Sequence, residues 1–500
     1  MTRPSGLADR TRDVLAHALD VYRGTPHGAG VRALADRLDA PLRVAVAGRV
    51  KAGKSTLLNA LVGERVAPTD AGECTRVVTW YADGHTYRVV LHPRSGAPRQ
   101  VPFVREEDAL RVELGAPPET VDRLEVSWPA QALRALTLVD TPGLGALSPA
   151  ASRARALLPG EDDDSPVDAV LHLMRHLHPD DVEFLRSFQD TGTGRPDPVN
   201  AIGVLSRADE LGAGRPDAMT SAGRVAGRLA VRPSVRGLVQ TVVPVAGLLA
   251  QTAATLTEAE VAVLRRLAAM PARGLADLLV SVDRFVADVP GSDVPGSDVP
   301  GPDVPPAVRA ALLDRFGVFG VRLAVTLVRR EGTTATSLAR ELAARSGVEE
   351  LKVLLGSLFH ARRDVLKARS ALLALDRLAS RSDAPGAVAL AARVEEVLAS
   401  AHPFAELRVL SAVRAGRVPG RPDVLADLEQ LVGSSGTAAH QRLRIDPGAG
   451  QAAATAAAGD ALRRWQRRAE NPLTPHGLAL AARVAVRTCE GLLVDLGRTT

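Results

Sequence analysis

The stretch LRVAVAGRVKAGKST, residues 42–56, constrains this chain more than any other. Its apolar run, Leu42 to Ala47, has the composition of a strand buried on both faces, and it ends at Gly48 ahead of a helix opening at Lys54-Ser55-Thr56. The spacing Gly48-x4-Gly53-Lys54-Ser55 is that of a phosphate-binding loop. Its glycines let the backbone N–H groups around Lys51 and Ala52 turn inward toward phosphate oxygens, at the positive end of the helix that follows. Lys54 supplies a cation for β- and γ-phosphates, and Ser55 a hydroxyl ligand for Mg2+. A chance glycine turn would lack both the strand in front and the apolar helix behind (Leu57, Leu58, Ala60, Leu61).

Further elements follow in order. Thr75 lies between a glycine-containing loop and the strand-like run Val77, Val78, Trp80, where its hydroxyl can reach Mg2+ and the γ-phosphate. Taken alone, its lesser reading is a threonine opening a strand. LTLVDTPGLG, residues 136–145, is a second buried strand ending in a site. Asp140 is placed to hold a Mg2+-bound water, and Gly143 to offer its N–H to the γ-phosphate. AIGVLSRADEL ends in Ser206-Arg207-Ala208-Asp209. A carboxylate there can accept from guanine N1 and N2, which adenine does not offer, although an aspartate capping a helix reads the same way. TVVPVAGLL adds a strand and a turn at Ala246-Gly247 suited to backbone contact with a base.

The ordered set GRVKAGKS, Thr75, DTPG, SRAD and PVAG resembles the guanine-nucleotide elements of the dynamin superfamily. The long interval between loop and DTPG, with helices on both sides, is more similar to a bacterial dynamin-like protein, of the actinobacterial isoniazid-inducible type, than to a minimal Ras-like GTPase. The motifs cover residues 42–250. Beyond them the likeness is one of helical organisation. The resemblance implies an α/β P-loop GTPase domain, a mixed sheet flanked by helices, carrying an all-α bundle that serves as neck or stalk. It implies GTP and GDP as ligands and Mg2+ as cofactor. Two departures stand out. Ser206-Arg207 replaces the Asn/Thr-Lys of the fourth motif, and Leu144 after DTPG leaves no glutamine there to orient water. Lys51 occupies a loop position where relatives carry serine or arginine. Transition-state charge supplied in cis and a solvated lysine both remain open for it.

The remainder divides by pattern. Residues 1–40 hold two amphipathic helices that need a partner surface, and 41–255 hold the GTPase domain. Residues 256–287 read as a helical connection, and 288–306, which repeat Asp-Val-Pro-Gly, as a semi-extended linker. Residues 307–500 carry the amphipathic stripes of a bundle. The apolar segment FGVFGVRLAVTLV (316–328) is core-like, with membrane contact as its other reading. Arg463, Arg464, Arg467 and Arg468 around Trp465 are a solvated face or a patch for anionic lipid. His172, His176 and His178 lack the companions of a metal set.

Composition narrows the function classes. A formal charge of +5 over 500 residues permits weak attraction to nucleic acid or anionic lipid without demanding it. The two cysteines, Cys74 and Cys489, form no framework, which fits a reducing cytoplasm. No uncharged apolar run approaches the roughly 20 residues of a membrane span. The expectation is a cytoplasmic GTPase, peripheral at most at the inner face of the cell membrane. Its expected partner is a second copy or a related dynamin-like chain, with no nucleic acid. A GTP-controlled nucleic-acid or ribosome-associated factor, or a GTP-binding scaffold with little turnover, are the rival readings.

Overall fold

The computed structural model describes residues 6–68, 77–106, 109–142, 167–189, 200–287, 303–330, 333–414 and 416–497. Helices α1 (Leu7–Val21) and α2 (Gly28–Asp39) precede β1 (Leu42–Gly48), which leads into α3 (Lys54–Val62). Strands β2 (Val78–Asp83), β3 (Arg88–Pro93), β4 (Arg99–Gln100), the hairpin β5 (Phe103–Glu106) and β6 (Ala109–Val112), and β7 (Val121–Trp128) follow. Then come β8 (Leu136–Asp140), β9 (Ala169–Met174), α4 (Pro179–Gln189), β10 (Ala201–Ser206), α5 (Ala218–Val231) and β11 (Val242–Val245).

Nine strands make one mixed sheet in the order β11-β10-β9-β1-β8-β2-β7-β3-β4. From β11 to β8 every pair is parallel, and β9 and β10 are buried at every position, as strands covered on both faces must be. The sheet reverses at β2, antiparallel to β8. Beyond it β7 alternates, burying Val121, Leu124, Val126 and Trp128 and leaving Asp122 exposed. Register fixes the site. Val46 pairs with Asp140 and Gly48 with Leu173, so the phosphate loop and the end of β8 open on the same edge.

Helices α6 (Gly247–Ala254), α7 (Glu258–Ala268), α8 (Ala272–Leu278) and α9 (Val282–Val286) share one apolar cluster with α10 (Pro306–Val328) and α11 (Ala335–Arg345). The segment 316–328 lies inside it, with Phe316, Val321, Ala324 and Val325 at 1% exposure or less. Buried Arg309 closes the turn after α9, donating to the carbonyls of Phe285 (2.7 Å) and Ala287 (2.9 Å). An amphipathic pattern alone groups 307–345 with the bundle. These helices share their core with the helices that follow β11 instead, because a stripe shows which face is buried and not what covers it. Of the Asp-Val-Pro-Gly repeat, residues 288–302 lie outside the described residues.

Helix α12 (Val348–Leu354) runs through a π turn (Leu355–Phe359) and a 3-10 turn (His360–Arg362) into α13 (Arg363–Ser380). Its first half belongs to the core on one sheet face, through Val348, Leu351, Leu355 and Phe359. Its second half belongs to the bundle, with α1, α2, α14 (Ala387–Ser400), α15 (His402–Arg414), α16 (Pro422–Leu431), α17 (Ala439–Leu443), α18 (Gln451–Glu470) and α19 (His476–Gly497). Trp465 is fully buried there, with the Arg468 guanidinium 5.0 Å from its ring centre. Arg463 pairs with Asp460, and Arg464 with Asp427 at 3.7 Å. Among the described residues no helix is long and apolar enough to cross a membrane.

Candidate functional site

At the phosphate end, β1 stops at Gly48, where a Cβ would stand 2.5 Å from the Leu173 carbonyl of the neighbouring strand. The loop turns outward at Val50, 63% exposed, and at exposed Lys51, whose φ of 62° is left-handed. It returns inward at buried Ala52, and Gly53 caps α3. Lys54 Nζ donates to the carbonyls of Gly48 and Arg49, each at 3.2 Å. Burial lowers the Lys54 pKa, and the Asp140 charge opposes this. Ser55 Oγ donates to Asp140 Oδ2 at 3.2 Å, so the two proposed metal-side groups touch where α3 begins and β8 ends. Burial raises the Asp140 pKa against the pull of Lys54, Ser55 and the Thr141 amide. Asp140 Oδ1 is shut off from solvent and makes no hydrogen bond. Thr75 and Gly143 lie outside the described residues.

At the base end, a cavity of about 150 Å³ is lined by Ala52, Gly53 and Thr56 of the loop, Ser206, Arg207 and Asp209 after β10, and Gly247 after β11. Asp209 is 7% exposed, and burial pushes its carboxyl up to about 6. Ser206 Oγ is buried there without a hydrogen bond. Ala246 is set apart from the other residues expected to bind nucleotide. It is fully buried, its amide donates to Ser346 O at 2.8 Å, and of the Ala246-Gly247 turn it is Gly247 that faces the cavity.

Sequence reasoning missed three contributors. Glu210 lines the cavity and pairs with Arg175 (2.5 Å) and Arg207 (2.8 Å). Leu248 lines it too, and Ser346 reaches the Ala246 amide from another helix. The acidic neighbour of Asp209 was visible in the sequence. The Ser346 contact runs through its backbone and leaves no mark on residue type. His172, one of three histidines in 172–178, is wholly buried, 2.9 Å from Asp181 Oδ1 and stacked on Phe184.

The dynamin family model matches residues 44–158, from β1 past the end of β8. The isoniazid-induced protein IniC of Mycobacterium tuberculosis (strain ATCC 25618 / H37Rv) is 41% identical over 501 residues, covering 98% of each chain. The chain belongs to the bacterial dynamin-like GTPases. As a dynamin-family GTPase it binds guanine nucleotide and hydrolyses GTP. A bacterial dynamin-like protein of Nostoc punctiforme is 35% identical over 114 residues, 20% of this chain and 16% of that protein. A solved bacterial dynamin pair, described as tethering membranes, overlays at a TM-score of 0.31 and 11% identity, covering 99% of this chain and 74% of that one. The cavity lining joins the loop after β1, inside the matched region, to the loops after β10 and β11, beyond it.

Proposed function

We propose that this GTPase uses Mg2+ held by Ser55 and Thr75 with Asp140 behind, and that it couples nucleotide-dependent pairing of GTPase domains to contact with an anionic membrane. The observation that carries the metal reading is Asp140 Oδ1, a buried carboxylate oxygen without a partner beside the Ser55 hydroxyl. Such an oxygen fits a hydrated cation one layer out. Mg2+ in that place would neutralise charge on the β- and γ-phosphates.

The chain's own groups do the rest. Lys54 exchanges the carbonyls of Gly48 and Arg49 for phosphate oxygens, and the loop amides and the N-terminus of α3 complete the cradle. Gly143 meets the γ-phosphate. Asp209 accepts from guanine N1 and N2 as carboxylate. With the Ala246 amide engaged by Ser346, the buried Ser206 hydroxyl and the Gly247 amide can donate to the O6 and N7 edge. Lys51 stands outside the phosphates, free to supply charge as the γ-phosphate leaves.

Exposed Val50 next to Lys51 supports the pairing. A second domain seated on this loop would bury an apolar side chain and exclude water from the γ-phosphate. The chain would work in the cytoplasm, at the inner face of the membrane. The test is GTP turnover per molecule against protein concentration, with and without anionic vesicles. Turnover that rises with both supports the reading. Turnover flat in both refutes the coupling and favours a scaffold.

A further inference from the structure

The base end of the site is held from outside the α/β domain. After β10, the loop carrying Asp209 runs on through Ala213 and Gly214, and Arg322 Nη1 of α10 donates to both of their carbonyls, at 3.3 and 2.7 Å. The other nitrogen of Arg322 reaches Leu279 O, so the same guanidinium also ties down the turn after α8. Five residues earlier α10 is broken at Gly317 (φ 66°, ψ 170°), and a Cβ there would stand 3.6 Å from Asp209 Oδ2 and 3.7 Å from Leu248. The break lets the helix pass against the guanine-reading carboxylate without filling its cavity.

The second base loop is held by the end of α11. Ser346 O accepts the Ala246 amide at 2.8 Å. Gly347 (φ 79°) lies so close to β11 that a Cβ would overlap the Pro244 carbonyl oxygen. Helix α6, which begins at Gly247, is fastened to α10 as well. Thr252 Oγ1 donates to Arg315 O, and Arg315 in turn donates to Thr255 Oγ1 and O, each at 2.9 Å, and to Glu260 at 2.7 Å. Asp209 and Gly247 follow β10 and β11, which pair directly with Ser206 opposite Val245, and beyond the strand ends the two loops are braced by a pair of helices that contributes no residue to the cavity lining.

We propose that the segment 306–347 is a positioning element for guanine recognition, with Arg322 and the Ser346-Gly347 turn holding the two base loops at the spacing that Asp209 needs. The inference rests on the guanine reading of the site. Selectivity for the base, more than affinity for the phosphates, then depends on residues far outside the loop-and-strand motifs.

The test compares GDP with inosine diphosphate, which lacks the 2-amino group and so reports the second bond to Asp209. Both are titrated calorimetrically into the full chain with Mg2+ present. In Arg322→Gln and in Gly347→Ala the GDP-to-IDP affinity ratio should fall by at least about threefold, because the missing bond is one to a charged group. The unfolding midpoint without nucleotide should stay close to wild type in Arg322→Gln. A ratio at the wild-type value, or both affinities falling by one common factor, overturns the proposal. Where Gly347→Ala does not fold, Arg322→Gln decides alone. A wild-type chain that does not distinguish GDP from IDP removes the guanine reading itself, which is a separate failure.

Discussion

Asp168 Oδ1 accepts a hydrogen bond from Arg37 Nη2 at 3.0 Å, tying the residue ahead of β9 to the helix that precedes β1. Its Oδ2 accepts the Arg43 amide at 2.9 Å. Lys367 of α13 donates to Arg37 O, and Arg363 donates to the carbonyls of Asp39 (2.7 Å) and Ala40 (3.0 Å). Sheet, N-terminal helices and bundle thus meet around one carboxylate whose side chain is 1% exposed.

Asp168→Asn should loosen this junction. It leaves the Arg37 and Lys367 charges in place and takes away the carboxylate between them, a change that costs about 3 kcal/mol at a buried pair. Urea unfolding should show the loss, and an unchanged midpoint would contradict it. The pH dependence has a definite sign. Burial holds Lys367 down to about 8 from 10.5, with Asp168 opposing and Arg363, Arg37 and Arg43 adding to the shift. The folded chain sheds this proton before the unfolded chain does, so stability should rise as pH increases from about 8 toward 10.5. Lys367→Met should remove that rise.

Reading guanine through Asp209 would make nucleotide binding dependent on pH. Burial raises its pKa to about 6, with Glu210 adding to the shift and Arg207 opposing it. The bond to guanine N1 and N2 needs the carboxylate, so GDP affinity should drop by up to roughly tenfold per pH unit below 6. Asp209→Asn should abolish that pH dependence and shift preference from GDP toward xanthosine diphosphate, whose 2-oxo group accepts from an amide. Equal GDP affinity in wild type and variant would count against Asp209 as the base reader.

How much of this was legible depended on how far each contact reached along the chain. The loop from Gly48 to Thr56 could be read directly, because strand, turn and helix start within fifteen residues of one another and each position has its own chemical demand. The strand carrying Asp140 and the one ending at Ser206 could be read from apolar runs that stop at polar residues. The Ser346 bond to Ala246 could not, since a carbonyl is common to every residue type. Nor could the partner of 316–328. Its burial was written in Phe316, Phe319 and Val321, but its place beside Asp209 follows from a break at Gly317 that a continuous apolar pattern conceals.

Glu406 should anchor the bundle. Burial opposes its charge, but hydrogen bonds from His402 and Arg442 outweigh this and hold its carboxyl at about 2. Arg442 grips both oxygens, at 2.5 and 3.1 Å, and Thr488 donates to one at 2.8 Å. The folded pKa lies below the ordinary 4.5, so this stability is present above pH 4.5 and is lost as pH falls toward 2. Glu406→Gln should cost about 3 kcal/mol at neutral pH and flatten that acid limb. A thermal melt series from pH 7 to 3 reads both.

Cys489 should resist labelling. It is fully buried, and burial pushes its thiol up to about 12, so little thiolate forms at neutral pH. Maleimide should modify it in denaturant and leave it untouched in the native chain. Rapid native labelling would mean that the packing of α19 in the bundle is not as described.

Lys51 separates charge supply from solvation. Lys51→Ala should leave GDP affinity near wild type and lower GTP turnover by at least about tenfold, as loss of one transition-state charge does. Unchanged turnover would make Lys51 a solvated loop residue.

The most direct test of the account is calorimetric titration of a non-hydrolysable GTP analogue, and of the matching ATP analogue, into the full chain with Mg2+ and with EDTA, for wild type and Ser55→Ala. The guanine nucleotide alone should bind, tightened by Mg2+ in wild type and insensitive to Mg2+ in Ser55→Ala. Equal binding of the two analogues, or guanine binding that Mg2+ does not affect in wild type, would contradict the site built from Lys54, Ser55, Asp140 and Asp209.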